Sequence, residues 1–147
     1  RTLALAPLVQ HCRTQLQTQH GYALVEGAGG WRVPLNARES LADLAIRLGL
    51  PVLLVVPIRL GCLNHALLTA EAIRHDGLSL AGWVANMVRA DYAPSDALIQ
   101  SLEQGLAAPC LGRFPWYDAD RANMPDPASF LDLPALLNAF GAMRKQS

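Results

Sequence analysis

Apolar residues recur at helical spacing through Leu5, Leu8, Val9, Cys12 and Leu16, with Gln, Arg and Thr between them. That spacing predicts an amphipathic helix ending near His20 and Gly21, where glycine supplies the C-cap. The run Tyr22, Ala23, Leu24, Val25 predicts a first strand ending in Glu26, and Trp31, Arg32 and Val33 add a short extended piece before Pro34. Ser40 followed three residues on by Asp43 resembles a capping box, with Asp where Glu is commoner. Leu41, Leu44, Ala45 and Leu48 form the buried stripe of the helix it opens, and Gly49 stops it.

A second strand is predicted over residues 51–56, apolar on both faces, which marks a central strand of a parallel sheet. A loop over 57–61 leads into a helix near 62–75, with Leu63, Leu67, Ala70 and either Ile73 or Leu68 turned inward. A third strand covers about 80–86. A helix follows from Ser95 or Asp96, burying Leu98, Ile99, Leu102 and Leu106. The fourth strand, 110–114, is short. After a polar, proline-bearing loop to about Ser129, Asp132 caps a last helix holding Leu133, Leu136, Leu137 and Phe140, and residues beyond Met143 fray.

Strands alternating with helices imply right-handed crossovers, hence an α/β fold: one mostly parallel sheet with helices on both faces, in three layers. With 147 residues, no internal repeat and no linker, the chain reads as a single domain. In such a sheet ligands bind beyond the carboxyl ends of the strands. Every chemically unusual segment falls there: Glu26 to Gly30, residues 58–64, Asn86 with Met87, and Pro115, Trp116 and Tyr117. The expectation is one composite site.

Composition narrows the classes. Hydrophobic residues make up 52% and charged residues 16%, a core-heavy balance that argues against disorder. No apolar run reaches the length of a spanning helix, and the start lacks the long apolar stretch of a signal peptide. The formal net charge is zero, without the basic stripe of a nucleic-acid binder. Cys12, Cys62 and Cys110 form neither a CxxC pair nor a disulfide framework, so a reducing cytoplasm is the expected compartment, and no zinc site is expected.

A carboxylate ending a buried strand needs a partner for its charge, and a metal ion is one. Glycines just beyond it let backbone N–H groups approach a ligand. Glu26 therefore reads as a Mg²⁺ ligand, with Gly27, Ala28 and Gly29 skirting a nucleotide's phosphates. The same hexapeptide also fits a strand closed by a tight turn, with Glu26 solvated. Leu60, Gly61, Cys62, Leu63 and Asn64 run into a helix start, which suits a carboxylate or phosphate; a plain glycine turn with Asn64 capping its own helix fits as well. Cys62 has no His–Asp set to activate it and reads as a packing residue. Asn86 suits the edge of a purine or the closing of a turn. Trp116 and Tyr117 offer flat faces for a base pocket, or for a core.

Taken in order, Val25-Glu26-Gly27-Ala28-Gly29-Gly30 with Val33-Pro34-Leu35, Leu60-Gly61-Cys62-Leu63-Asn64-His65-Ala66-Leu67-Leu68-Thr69, Gly82-Trp83-Val84-Ala85-Asn86 and Phe114-Pro115-Trp116 resemble dethiobiotin synthetase over nearly the whole chain. The resemblance implies a P-loop-type fold, a homodimer, and an ATP- and Mg²⁺-dependent ring closure in biotin synthesis. There 7,8-diaminononanoate takes up CO₂ as a carbamate, ATP phosphorylates it, and the second amine closes the cyclic urea. By position, Glu26 resembles the family's Mg²⁺ ligand, and Gly27, Ala28 and Gly29 its nucleotide contacts. Asn86 and Met87 match the adenine-reading position, and Pro115, Trp116 and Tyr117 the last nucleotide-lining loop. Leu60, Gly61, Cys62 and Asn64 match the segment that receives the substrate's distal carboxylate, offered to the neighbouring subunit.

One departure is large. The family's GxxxxGK[ST] phosphate loop does not occur, and the only lysine is Lys145. The catalytic lysines, the P-loop threonine and a second metal carboxylate belong to that missing part, so the chain reads as the C-terminal portion of a larger P-loop-type domain, with no catalytic residue of its own. Two rivals stand: the synthetase part of a cobyric-acid-type amidotransferase, against which the LGCLNH segment argues, and a non-catalytic dimerisation scaffold on the same fold. Because phosphoryl transfer needs positive charge at the β/γ phosphates, these 147 residues alone are expected to be inactive. Carbamate-dependent ATP cleavage by this polypeptide at an enzyme's ordinary rate would contradict that.

Overall fold

The computed structural model describes residues 3–18, 22–92, 96–117 and 125–141. In chain order these form α1 (Leu5–Thr18), α2 (Leu41–Leu48), β1 (Val52–Ile58), α3 (Cys62–His75), β2 (Leu80–Met87), α4 (Asp96–Leu106), β3 (Cys110–Phe114), a 3-10 turn (Pro127–Phe130) and α5 (Leu133–Gly141). They divide into two compact units: Arg1–Leu50 with Ala72–Leu78, and Pro51–Glu71 with Ser79–Ser147. The predicted cap at His20 and Gly21, the Ser95 start and the end beyond Met143 lie outside the described residues.

The second unit holds the sheet. Its order is β1-β2-β3 and both pairings are parallel. Register sets Ile58 beside Met87 and Asn86 beside Phe114. Side chains alternate between faces along each strand. Val56 and Ile58 of β1 with Trp83 and Ala85 of β2 meet Cys62, Ala66 and Ala70 of α3 and Ile99, Leu102 and Leu106 of α4 in one buried cluster. Small residues at 66, 70 and 85 leave room for the Trp83 ring, which is fully buried. Its indole N–H reaches no acceptor among the described residues, a cost accepted only because the ring's apolar area is large. Leu111 of β3 is also fully buried, and a Cβ on Gly82 would overlap its side chain. Helix α5 lies against β2 and β3, and Asp132 caps it by accepting from the Ala135 N–H at 2.9 Å, as expected.

In the first unit α1 packs on α2, and Arg13 Nη2 donates to the Arg47 carbonyl at 2.8 Å. The capping box forms as read: Ser40 N–H donates to Asp43 Oδ2 at 2.6 Å, and the Ser40 side chain accepts from the Asp43 N–H. Gly49, at φ 65°, closes α2 in the left-handed region that glycine adopts freely. The stripe is less buried than expected: Leu41, Leu44, Ala45 and Leu48 are half-buried, and it is Ala42 that is fully enclosed.

Two expectations are corrected. Residues 22–26 form no strand. They pair with nothing among the described residues, and Tyr22 and Leu24 are 75% and 80% exposed; an apolar run becomes a strand only when a neighbour takes its backbone N–H and C=O groups. The strand expected to be central, β1, lies at the sheet's edge among the described residues, with β2 beside it. Val55 is accordingly half exposed, and Pro57, which has no N–H to donate, is tolerated there. The central strand is β2. Of the two residues left open in α3, Ile73 is the one turned inward, fully buried, and Leu68 is exposed.

Core and cap contribute unequally. Leu102→Ala is expected to cost about 2–5 kcal/mol, since the cavity sits between helix and sheet, whereas Ser40→Ala is expected to cost about 1 kcal/mol. Urea titration of both variants checks the ranking; equal losses would mean that the helix–sheet cluster is not the main source of stability.

Candidate functional site

The parallel sheet brings three of the four expected segments to one edge within the second unit. Leu60, Gly61, Cys62 and Asn64 follow β1, Asn86 and Met87 end β2, and Pro115, Trp116 and Tyr117 follow β3. This arrangement follows from the ladder, because parallel neighbours end on the same side.

The Asn86 side chain is half-buried beside Phe114 in register, and its amide makes no hydrogen bond among the described residues. It therefore closes no turn here, and both its donor and its acceptor are open. Just beyond, Arg89 Nε donates to Asp91 Oδ1 at 2.8 Å, and this pairing holds the Asp91 carboxyl below the usual carboxylate range. Trp116 is exposed. Tyr117 packs on Phe130, ring centroids 6.0 Å apart, and Phe114 packs on the same ring at 5.8 Å. Tyr117 is thus committed in part to structure, and Trp116 is the freer flat surface.

At the start of α3, Gly61 turns the chain and the Cys62 N–H donates to the Arg59 carbonyl at 3.0 Å. The Cys62 side chain belongs to the buried cluster, in agreement with a packing role. Asn64 is exposed and caps nothing among the described residues. Leu60 is 91% exposed at the tip of the turn.

Glu26 and the glycine loop lie in the first unit. Glu26 is exposed, and its carboxylate has no hydrogen-bond or ion-pair partner among the described residues. Since residues 22–26 are exposed and unpaired among the described residues, burial does not force a counter-ion on Glu26, contrary to expectation. With residues 22–25 and part of α1, Glu26 lines an open groove of about 410 Å³. Backbone N–H groups of residues 27–30 donate to no acceptor among the described residues, and Gly29 (φ 83°) and Gly30 (φ 120°) take left-handed conformations that other residues resist.

Chemistry the sequence reading missed lies just downstream. Trp31 Nε1 donates to Asp76 Oδ2 at 2.7 Å, and Arg32 engages both oxygens of the same carboxylate, at 2.9 Å and 2.8 Å. Hydrogen bonding from Arg32 is the main influence lowering the Asp76 pKa; burial opposes it and Trp31 adds to it. Glu39 accepts from the Leu5 N–H at the start of α1 and from Asn36 Nδ2, and the Asn36 amide is the chief cause of its lowered pKa. Asp43 is lowered chiefly by the Ser40 N–H. No local pattern announces a pair 45 residues apart. Among the described residues no group of three or more His, Cys, Asp or Glu is placed to hold a metal ion, and no helix is long and apolar enough to cross a membrane.

The family described as AAA domain matches residues 1–122. The chain belongs to that family. The AAA-domain match takes in Glu26, the α3 start, Asn86 and Pro115 to Tyr117 alike. Among individual relatives, the ATP-dependent dethiobiotin synthetase BioD of Cellvibrio japonicus is 53% identical over 139 residues, 95% of this chain and 60% of that protein. The enzyme of the same name from Pseudomonas paraeruginosa is 57% identical over 113 residues, 77% of this chain and 50% of that protein. The one from Chromohalobacter salexigens is 53% identical over 123 residues, 78% and 52% respectively. This AAA-domain chain is homologous to those synthetases, and it spans roughly half to three-fifths of their length.

Asp76, Glu39 and Asp43 all have pKa values below the ordinary carboxylate value. Groups lowered on folding stabilise the fold above their unfolded pKa, and that contribution is lost as pH falls through the folded one. The first unit is therefore expected to loosen below about pH 4. An acid titration followed by near-UV circular dichroism checks this: Asp76→Asn should flatten the acid limb, and an unchanged limb would remove Asp76 from the account.

Proposed function

We propose that the protein is a dethiobiotin synthetase, catalysing ATP- and Mg²⁺-dependent carboxylation and ring closure of 7,8-diaminononanoate to dethiobiotin. The observation that supports this most is 53% identity to such an enzyme over 95% of the chain. The exposed, unpartnered Glu26 carboxylate suits Mg²⁺, which commonly takes one or two carboxylates together with substrate phosphates and water. The free N–H groups of residues 27–30 suit phosphate oxygens. Bound Mg²⁺ supplies charge neutralisation at the phosphates.

Within this reading the chain's own residues bind and orient. Glu26 holds the ion; Gly27, Ala28 and Gly29 face the nucleotide. Asn86 reads the adenine edge with its open amide, beside Met87, and Pro115, Trp116 and Tyr117 line the base. Leu60, Gly61, Cys62 and Asn64 form the segment that receives the substrate's distal carboxylate for the neighbouring subunit of a homodimer, Cys62 by fixing the turn, since its side chain is in the core and its N–H is held by the Arg59 carbonyl. The sequence lacks a GxxxxGK[ST] loop, whose lysine would place positive charge at the β/γ phosphates; in this reading these 147 residues orient reactants, as the C-terminal portion of one larger domain. The compartment is the cytoplasm.

The test uses the protein at its full natural length, with 7,8-diaminononanoate, CO₂ and MgATP, and dethiobiotin quantified by mass spectrometry. Product is expected from the wild type, and Glu26→Gln is expected to lose at least about tenfold in kcat/KM. A wild type that makes no dethiobiotin would end the reading; an unaffected Glu26→Gln would remove the ion from Glu26.

A further inference from the structure

We propose that Asp76 is a positioning residue that fixes the backbone leaving the glycine loop at residues 27–30, and so sets the loop's affinity for the nucleotide phosphates. The inference rests on the nucleotide-binding reading of that loop. It starts from what does not hold the loop. Residues 27–30 make no backbone hydrogen bond among the described residues, and the segment before them, 22–26, is unpaired. Glycine at 29 and 30 permits the required φ of 83° and 120° but enforces neither. Among the described residues, the hydrogen bonds nearest the loop lie on its downstream side.

There the chain is gripped at once. Adjacent side chains on extended backbone point apart, but a turn at 31 and 32 brings Trp31 and Arg32 onto one carboxylate. Trp31 Nε1 stands 2.7 Å from Asp76 Oδ2, while Arg32 Nη2 and Nη1 stand 2.9 Å and 2.8 Å from Oδ1 and Oδ2. The next residues continue the grip: the Val33 carbonyl accepts from the Leu41 N–H at 2.8 Å, and Pro34 bridges to Ser40. Asp76 itself directly follows α3, its N–H donating to the Ala72 carbonyl. A carboxylate at a helix C-terminus is disfavoured by the helix dipole, so its place there is not explained by the helix. It is explained by the two donors it receives. The Asp76 side chain is only 10% exposed against 56% for Arg32, so the carboxylate is shielded at the inner end of the clamp while the guanidinium meets solvent at the outer end.

The test is made in the full-length protein with three variants: Asp76→Ala, Arg32→Gln and Trp31→Phe. MgADP affinity is read by titration calorimetry, backbone exchange at residues 27–30 by hydrogen–deuterium mass spectrometry, and KM separately for ATP and for 7,8-diaminononanoate. Asp76→Ala is expected to weaken MgADP binding on the order of tenfold, to speed exchange at 27–30, and to raise KM for ATP while leaving KM for the diamine unchanged. Arg32→Gln and Trp31→Phe, which each remove part of the clamp, are both expected to do the same to a smaller degree. Should Asp76→Ala fail to fold, those two variants carry the test. Wild-type affinity together with wild-type exchange at 27–30 in every folded variant would overturn the proposal. A wild type that binds no MgADP would instead sink the nucleotide reading, and the exchange measurement would then judge the clamp by itself.

Discussion

The ladder of parallel hydrogen bonds on either side of β2 is the constraint from which the second unit follows. It fixes the direction of β1 and β3, and direction decides where each strand ends. Once Ile58 stands beside Met87 and Asn86 beside Phe114, the turns after all three strands share one edge whatever residues they contain. The helices then have little freedom. Cys62, Ala66 and Ala70 place α3 over β1 and β2, and Ile99, Leu102 and Leu106 bring α4 to the same cluster. Chemistry at the edge is a by-product of geometry: Asn86 is open because a strand ends there, and Trp116 is exposed because β3 stops two residues earlier.

Much of this was legible from residue order alone. The bounds of α3 and β3, the Ser40–Asp43 box, the Gly49 stop and the Asp132 cap each depend on residues a few positions apart, and each appears where it was read. Local patterns fail where the decision is made by something distant. Tyr22 to Val25 have strand propensity, but propensity cannot report whether a neighbour is there to pair with. The run in β1 is as apolar as that of a central strand, yet position in the sheet depends on what lies beside it. The grip of Asp76 on Trp31 and Arg32 joins parts of the chain 45 and 44 residues apart, and nothing around Asp76 in sequence distinguishes it from an ordinary helix-end carboxylate.

The candidate site was legible in a different way. Composition and spacing pointed to the strand ends, but the roles of Glu26, Asn86 and the α3 start were read from a resemblance across four motifs. The AAA-domain match and the synthetase relatives support that resemblance over most of the chain. Glu26 is exposed rather than strand-buried, so burial is not what calls for a counter-ion there. What marks the segment instead is an oxygen donor followed by four backbone N–H groups, none of them with a partner among the described residues.

The three tryptophans occupy three different surroundings. Trp83 is sealed among aliphatic neighbours, Trp31 leans on a carboxylate, and Trp116 faces water in large part. Indole fluorescence responds to polarity and to nearby charge, so the emission of this molecule is a sum of three distinct colours rather than one. A blue component reports melting of the helix–sheet cluster, and a red component is nearly blind to it. Spectral resolution can therefore tell the loosening of one unit from the collapse of the other without any added label.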